Sequence, residues 1–562
     1  MTDLFEPTQL MGRKAITLRP YQEAAVNAIE QAFASNDSTL VVMATGLGKT
    51  ATFGEMIRRR CSADQKCLVI AHRSELVEQA AKHIQTRVGI NTSVEMADRM
   101  ATGGKYADPV IVASVQTCIA ERNGVRRMER FNPSEFGLVV VDEAHHATSQ
   151  SYREVIEWFT AGGAKVLGVT ATPDRADEEA LGQVFDSVAF EYGVAEAISD
   201  GYLVPIRQAM VTVDGLDYSG CRTTAGDLNG ADLDRVLKYE ETLHRMVAPT
   251  MEIAKGRRTL VFCASVEHAE RVAEIFNRYS PNSAAFVSAN TPSDQRRTIF
   301  RDFGDGKYQF LCNVGIATEG WDDPATDGKG VQFIAMMRPT KSRSLYCQMI
   351  GRGTRTLPGV IDGLAQPETR RAAIRDSAKP AVTILDFVGN SGRHKLIRAA
   401  DALGGNWSDA VRDRANAKSE TSANAQLLVE FDVLEQMDEA EQELKREAEE
   451  RRRTFIKVRA SYKTQDIDPF SSLGIVPQRV PGWARRIPAS DKQISFLKRN
   501  NVPNVDNLNT REASQLIDHL MSSPTDKQAW VLRKAGLDPA NYDRKGASEA
   551  IDKIKKGEPF PT

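Results

Sequence analysis

Short apolar runs recur along the first two-thirds of the chain, and longer segments with helical spacing separate them. Strands buried on both faces are continuously apolar, whereas strands with one wet face alternate apolar and polar residues. These runs are continuous, so they predict parallel strands that helices cover on both sides. The first series comprises Thr39–Met43, Cys67–Ala71, Val110–Ala113, Leu138–Val141 and Val166–Thr170.

A second series with the same pattern follows the first. Two such series predict an α/β fold of two tandem, doubly wound parallel-sheet lobes. We place the first lobe at residues 1–205 and the second at residues 206–400. The second series comprises Thr259–Cys263, Ala284–Val287, Phe310–Asn313, Val331–Met336 and Val382–Asp386.

The pattern changes after the second lobe, where charged and polar residues dominate. Asp438 to Arg453 is almost entirely charged, with acid–base pairs at the i,i+4 spacing of a solvated helix. We therefore expect a charged helical linker region over 401–487. Residues 488–562 contain an internal repeat, because Asp491-Lys492-Gln493 recurs 35 residues later as Asp526-Lys527-Gln528. The pattern of each copy predicts two helices joined by a loop, so we expect a helical C-terminal extension.

Composition narrows the class of protein. Apolar residues make up 41% of the 562 residues and charged residues 26%, which is enough for large cores. The net charge is −2, so any phosphate-binding surface must be a local patch. The seven cysteines contain no CxxC pair, which favours reduced thiols and no structural zinc. We see no membrane-spanning run and no signal peptide, and expect a cytoplasmic protein.

The segment from Val41 to Thr50 is an apolar strand, a glycine-containing turn and a helix start, which is the pattern of a phosphate-binding loop. The backbone of Thr45, Gly46 and Gly48 would close around nucleotide phosphates. Lys49 would reach the β- and γ-phosphates, and the Thr50 hydroxyl would bind Mg²⁺. Met43 stands where this pattern usually has its first glycine.

Leu138–Val141 ends in two acids, Asp142 and Glu143, followed by Ala144 and His145. Ligands of doubly wound sheets bind at the carboxyl ends of strands. Two carboxylates after a buried strand are costly without a cation nearby. We therefore expect Asp142 to hold Mg²⁺ and Glu143 to polarise the attacking water.

With these motifs the chain resembles superfamily 2 helicases of the DEAD/DEAH type over about residues 14–400. The resemblance implies RecA-like lobes that use ATP and Mg²⁺ and bind nucleic acid without reading its sequence. It implies that Arg19 and Gln22, in Leu18-Arg19-Pro20-Tyr21-Gln22, contact the nucleotide, with Gln22 reading adenine. It also implies that His145, Thr170 and Thr172 couple the nucleotide state to the other lobe.

The segment Gln348 to Arg355 resembles the arginine-containing motif of the family's second lobe. By that likeness Gln348, Arg352 and Arg355 are catalytic, and Arg355 is the arginine finger on the γ-phosphate. Arginine suits this role because its charge is permanent and its planar fork matches phosphate oxygens. The segment Asn313 to Asp322 implies that Gly320 and Asp322 lie at the nucleotide.

Polar residues that follow several strands resemble the family's nucleic-acid motifs. Hydroxyls, amides and helix N-termini bind phosphates without base recognition. The predicted contacts are His72, Arg73, Ser114, Gln116, Thr117, Ser265, Ser288 and Thr318.

We expect an ATP-dependent helicase or translocase acting on DNA, single-stranded or branched, in repair, recombination or replication. The likeness is to RadD-like and phage-type DNA helicases, but the tail lacks the cysteine-rich zinc region of RadD proteins. Two alternatives stay open, namely an ATP-switched nucleic-acid sensor or scaffold without unwinding, and the motor subunit of a restriction-type nuclease. The C-terminal repeats resemble SAP-like modules, for which DNA binding and protein docking are both open.

Overall fold

A computed structural model of the chain describes residues 17–62, 65–103, 108–171, 180–224, 226–316, 323, 325–392, 395–403, 407–424, 430–457, 469–473, 475, 477–478, 487–500, 502–539 and 542–556. The described residues form two compact units. One contains those up to residue 403 together with Arg412–Met437, and the other contains 407–411 and those from Asp438 onward. No helix among the described residues is long and apolar enough to cross a membrane.

The first sheet has seven strands, and all of its pairings are parallel. Their order across the sheet is β3-β4-β2-β7-β8-β1-β9, so β1 and β7 lie on either side of β8. The strands are β1 (Ser38–Met43), β2 (Lys66–Ala71), β3 (Thr92–Glu95), β4 (Val110–Ser114), β7 (Phe136–Asp142), β8 (Lys165–Thr170) and β9 (Ser187–Tyr192), with a small hairpin of β5 (Glu121–Arg122) and β6 (Val125–Arg126) outside the sheet.

The second sheet also has seven strands, in the order β14-β15-β13-β16-β17-β10-β18. Six of them run parallel, and the short edge strand β18 pairs antiparallel with β10. The strands are β10 (Ile206–Asp217), β13 (Thr259–Phe262), β14 (Ala284–Val287), β15 (Phe310–Asn313), β16 (Phe333–Met336), β17 (Val382–Asn390) and β18 (Phe431–Asp432), with a separate hairpin of β11 (Thr223–Thr224) and β12 (Asp227–Leu228).

The helices of the two lobes bury apolar residues. In the first lobe they are α1 (Pro20–Phe33), α2 (Lys49–Arg60), α3 (Ser74–His83), α4 (Val115–Ile119), α5 (Gln150–Thr160) and α6 (Val194–Ser199). In the second they are α7 (Gly230–Leu237), α8 (Glu240–Ala254), α9 (Val266–Tyr279), α10 (Ser293–Gly304), α11 (Arg343–Ile350), α12 (Pro367–Arg375) and α13 (Ala399–Ala402).

The helical C-terminal extension follows. It contains α14 (Asp409–Asn424), α15 (Val433–Lys457), α16 (Pro469–Leu473), α17 (Asp491–Arg499), α18 (Thr510–Ser522), α19 (Asp526–Lys534) and α20 (Arg544–Lys556). The expected fold class of two parallel-sheet lobes with a helical extension is thus confirmed. Each of the ten predicted runs overlaps a strand of one of the two sheets, while the sheet strands β3, β9, β10 and β18 were not predicted.

The two C-terminal repeats use the same internal contacts. Ser490 and Thr525 cap the first helix of their copies, each in a capping box with a glutamine three residues later. That glutamine also ties the two helices of its copy together. Gln493 Nε2 donates to Thr510 O and Ser514 Oγ at 3.2 and 3.0 Å, and Gln528 Nε2 donates to Arg544 O and Ser548 Oγ at 3.1 and 2.8 Å. The sequence repeat is therefore a structural repeat.

Candidate functional site

The turn between β1 and α2 is shaped for close approach to its backbone. Gly46 and Gly48 have φ angles of 91° and 76°, a left-handed conformation that glycine adopts without steric cost. Helix α2 begins at Lys49, so its free N–H groups and the positive end of its dipole face this turn. Such a turn is suited to hold the phosphates of a nucleotide.

The two predicted acids lie beside this turn, at the end of β7. Asp142 is the last residue of the strand, and Glu143 has φ 50°, which is unusual for a residue with a side chain. Lys49 Nζ lies 3.4 Å from Glu143 Oε1. Strand β8 contributes Thr170, whose Oγ1 is 3.2 Å from His145 Nδ1, and this nitrogen is 3.5 Å from Glu143 Oε2. Glu143 and two of the predicted coupling residues are therefore in contact.

A cavity of about 480 Å³ brings residues of the two lobes together. The volume is within the range of small-molecule sites. Its lining contains the predicted residues Thr45, Gly46, Gly48, Lys49, Thr50, Asp142, Glu143, Arg352 and Arg355, together with Ala51, Leu76, Gln79, Ala80 and His83. Gln348, which is buried in α11, is not among these lining residues.

The second lobe packs directly on the phosphate-binding turn. A methyl group built on Gly46 would lie 3.1 Å from Arg355 Cγ, and one built on Gly351 would lie 2.5 Å from Thr45 Cβ. Both glycines therefore allow a close approach that a larger residue would block. Burial lowers the pKa of Arg355 to about 10, so the guanidinium stays charged at neutral pH. A permanent positive charge thus lies at the turn.

The segment that carries Arg355 is tied to residues 200–205, which join α6 to β10 and are here called the connector between the lobes. Leu203 and Arg355 form an antiparallel bridge, and Val204 N–H donates to Thr354 O at 2.8 Å. The position of the arginine is thus set by the connector as well as by its own lobe.

Arg19 and Gln22 lie on the far side of the turn. Gln22 Nε2 donates to Leu47 O at 2.9 Å, and its Oε1 accepts from Arg19 N–H at 2.9 Å. Gln22 therefore supports the turn through both ends of its amide. Among the described residues that line the cavity, neither of the two appears. The role of Gln22 in reading adenine stays a prediction.

An aromatic cluster beside Gln22 was not predicted from the sequence. Tyr21 stacks on Tyr192 with ring centroids 4.9 Å apart. It also makes an edge-to-face contact with Tyr202, with ring centroids 4.6 Å apart. The Tyr21 hydroxyl donates to Leu47 O at 2.9 Å. Arg370, on α12 of the second lobe, lies 4.1 Å from the centroid of Tyr202. The turn is thus linked to the second lobe a second time, through Tyr21, Tyr202 and Arg370.

The predicted nucleic-acid residues lie where strands end and helices begin. Ser265 Oγ accepts from His268 N–H, Thr117 Oγ1 accepts from Ala97 N–H, and Ser114 Oγ donates to Gln116 Oε1. Ser114, Thr117 and Ser288 are buried, whereas Arg73 and Gln116 are exposed. Arg73 reaches the second lobe, where it donates to Gly315 O at 3.1 Å.

His72 is not simply a surface contact, because it belongs to a row of imidazole rings. Its ring centroid is 4.3 Å from that of His146, which is 4.1 Å from that of His145. Strands β2 and β7 are neighbours, so the residues that follow them meet at one edge of the sheet. His146 was missed from the sequence, although a histidine after each of two neighbouring strands was the available signal.

Two family models match the chain. The one described as "Type III restriction enzyme, res subunit" matches residues 15–175, and "Helicase conserved C-terminal domain" matches residues 238–356. The first match contains Lys49, Asp142 and Glu143, and the second contains Arg352 and Arg355. One model thus matches within the first lobe and the other within the second.

The curated proteins to which the chain is similar include helicases and a restriction-enzyme subunit. IRC3 of Saccharomyces cerevisiae, named as an ATP-dependent helicase, is 32% identical over 61% of this chain and 50% of its own length. The protein irc3 of Schizosaccharomyces pombe, named as a mitochondrial ATP-dependent helicase, is 34% identical over 63% of this chain and 58% of its own. The Escherichia coli type I restriction enzyme EcoAI endonuclease subunit is 27% identical over 60% of this chain and 44% of its own length. The chain thus spans about half the length of these relatives.

Four of the predicted site residues lie outside the described residues. They are Thr172, Thr318, Gly320 and Asp322. Their predicted roles, in coupling and in contacts to nucleic acid and nucleotide, stay predictions.

Proposed function

We propose that this chain is an ATP-dependent helicase or translocase that moves along or unwinds nucleic acid, with DNA as the expected substrate. One observation carries the proposal. Arg355 of the second lobe lines the same cavity as Lys49 and Glu143 of the first, and its side chain packs on Gly46. Hydrolysis in such a site requires both lobes, so the chemistry depends on their closure.

Within this site each group has a physical role. Lys49 and the N-terminus of α2 would neutralise phosphate charge, and Glu143 would accept a proton from the attacking water. Arg355 would stabilise the charge that develops on the γ-phosphate. Thr50 and Asp142 both line the cavity and offer oxygen atoms, the ligands that Mg²⁺ prefers, so the donor set fits this ion. When bound, Mg²⁺ would neutralise charge on the β- and γ-phosphate oxygens.

Nucleic acid would bind across the strand ends that carry Arg73 and Gln116, the exposed members of the predicted set. The imidazole row supports a route from this surface to the catalytic acid. His72 follows β2, His146 contacts both of its neighbours, and His145 reaches Glu143. We include His146 among the residues that couple nucleic-acid binding to hydrolysis.

The deciding experiment compares ATP hydrolysis with single-stranded DNA, duplex DNA, forked DNA and RNA, and measures strand displacement beside it. A helicase or translocase hydrolyses ATP faster with its preferred substrate and displaces or traverses a strand. Robust stimulated hydrolysis without displacement or translocation would instead support the ATP-switched sensor. Hydrolysis that no nucleic acid stimulates would reject both. The cytoplasmic location expected from the sequence is tested separately by imaging a tagged chain.

A second candidate is the motor subunit of a restriction-type nuclease, favoured by the family model at residues 15–175 and by the type I relative. The triplet Glu443-Leu444-Lys445 fits the Glu-x-Lys pattern of nucleases, but it lies in the helix α15 rather than at a strand, and Lys445 pairs with Glu441 at 2.9 Å. Cleavage of plasmid DNA by the chain with Mg²⁺ would support a nuclease of its own. Cleavage only after a partner is added would support the motor-subunit candidate.

A further inference from the structure

The two C-terminal repeats present equivalent faces of their first helices. In α17 the exposed residues Lys492, Ser495, Lys498 and Arg499 share one face, and in α19 the matching residues are Lys527, Trp530, Arg533 and Lys534. Residues three, six and seven apart fall on the same side of a helix. The cations are therefore common to both copies, and the difference on this face is serine against tryptophan.

The Trp530 ring is not part of the core of its repeat. It is 62% exposed, whereas Leu532 of the same helix is fully buried with Ala547, Ala550 and Ile551. The first copy builds its core with a serine at this position. Folding of the repeat therefore does not require the indole, and an exposed ring of this size leaves a large apolar surface in water.

Positive charge surrounds the ring. Lys534 Nζ lies 5.2 Å from its centroid, and Lys527 and Arg533 flank it on the exposed face. The second copy, residues 525–556, has eight Lys and Arg residues against five Asp and Glu, a net charge of +3. The first copy, residues 490–522, has four of each, and its Lys498 pairs with Asp506 at 2.5 Å. The charge and the ring thus occur in the same copy.

We infer that this face of α19, formed by Lys527, Trp530, Arg533 and Lys534 and here called the Trp530 face, binds single-stranded nucleic acid. The inference rests on the proposed function and adds a second binding site to it. The cations would contact backbone phosphates, and the indole would stack on an unpaired base. Stacking on aromatic residues tolerates any base, which suits binding without sequence recognition.

A single strand fits this face better than a duplex does. The bases of a duplex are already stacked on one another, so a flat indole on a helix surface meets only its phosphates and groove edges. A basic face without an aromatic ring would be sufficient for that contact. The ring adds affinity where unpaired bases are available, and a helicase substrate supplies such bases.

The test uses the full chain and measures the fluorescence anisotropy of a labelled oligothymidine and of a labelled blunt duplex. Trp530→Ala should weaken binding of the oligothymidine about tenfold, because the loss of one stacked base has an effect of this order. Duplex binding should change little. Trp530→Phe keeps an aromatic ring and should retain most of the affinity. Ser495→Ala, at the matching position of the first copy, is the control and should bind as the unaltered chain does.

Four outcomes would overturn the inference. Equal affinity of Trp530→Ala and the unaltered chain for the oligothymidine would remove the site, while ATP hydrolysis stimulated by DNA would leave the proposed function standing. Equal losses for oligothymidine and duplex would indicate a general phosphate contact rather than stacking. If Trp530→Ala abolished binding of a protein partner and left oligonucleotide binding unchanged, the Trp530 face would be a protein-docking surface. An unaltered chain that binds no nucleic acid would reject the proposed function as well.

Discussion

At the scale of single residues, Glu143 combines a costly backbone conformation with a costly position. Its left-handed φ of 50° costs on the order of 1–3 kcal/mol for a residue with a side chain. Its carboxylate is buried beside Lys49 and His145. Conformations of this kind persist at sites where the geometry itself is used. The placement is consistent with a base held ready for water.

Glu143→Gln keeps the size of the side chain and removes its ability to accept a proton. We expect ATP to bind and hydrolysis to stop, as measured by binding of a fluorescent ATP analogue and by phosphate release. Lys49→Ala is the comparison, because it should lose the phosphate contact and weaken ATP binding too. Normal turnover by Glu143→Gln would show that another group activates the water.

Arg355→Ala should lower the rate of ATP hydrolysis by on the order of 10³-fold or more, since an arginine finger contributes that much to phosphoryl transfer. Arg355→Lys should recover only part of the rate, because an ammonium cannot make the planar two-pronged contact. Steady-state hydrolysis at saturating ATP measures both. Arg371→Ala, an exposed arginine of α12, is a suitable control. A loss of less than tenfold for Arg355→Ala would contradict the finger assignment.

The sequence pointed to these residues because their predicted chemistry depends on short, ordered motifs. Lys49, Glu143 and Arg355 line one cavity, as the predicted shared site requires. Tyr202 and Arg370 were missed for a physical reason. Their contacts join segments that are far apart in the chain. The spacing of residues within a short motif does not predict a contact between a ring and a residue distant in sequence.

At the scale of elements, the continuously apolar strands were predictable, whereas the strand β10 and three of the four edge strands, β3, β9 and β18, were not. The strand β3 contains Glu95, which is fully buried, and so breaks an apolar run. Its carboxylate accepts from Arg127 Nε at 2.6 Å and from Ala101 N–H at 2.7 Å. Partners from other segments make this burial possible, and a sequence pattern does not contain them. The edge strand β18 has only two residues, which is too short for any period.

The helix α12 holds the connector through Arg370. This buried guanidinium donates to Asp200 O at 2.7 Å and to Leu364 O and Ala365 O at 3.0 and 2.8 Å, and it stacks on Tyr202. Arg370→Ala leaves these carbonyls without a donor, which should lower the free energy of unfolding of this unit by about 1–3 kcal/mol. The KM for ATP should also rise. Thermal unfolding and ATP titration measure the two effects.

The neighbouring Arg371 gives a matched comparison for this prediction. It is exposed and donates to Ser199 O at 2.9 Å, so it contacts the end of α6, just before the connector. Arg371→Ala should change both quantities much less. Similar effects of the two substitutions would show that Arg370 acts as an ordinary surface contact.

The imidazole row joins the ends of β2 and β7, and its function is testable through His146. His146→Ala removes the ring that touches both neighbours, so the ratio of DNA-stimulated to unstimulated ATP hydrolysis should fall about fivefold or more, the usual lower range of coupling between sites. Rates over a DNA titration measure this ratio. His244→Ala, which removes a histidine in ring contact with Tyr279, should leave the ratio unchanged. An unaltered ratio for His146→Ala would exclude this route.

At the scale of the whole molecule, the sequence predicted two lobes and a helical extension, and the fold agrees. What it left open is how the lobes meet. The approaches of Gly46 to Arg355 and of Gly351 to Thr45 depend on packing between surfaces that are about 300 residues apart in the chain. The domain boundaries at 205, 400 and 487 stay predictions.

The bridge between Leu203 and Arg355 has a mechanical consequence for the cycle. Since the peptide that connects the lobes is hydrogen-bonded to the peptide that carries the guanidinium, pulling one displaces the other. Separation of the lobes would then also withdraw the guanidinium of Arg355 from the nucleotide. The two movements would occur together, and no open state would keep the arginine at the phosphates.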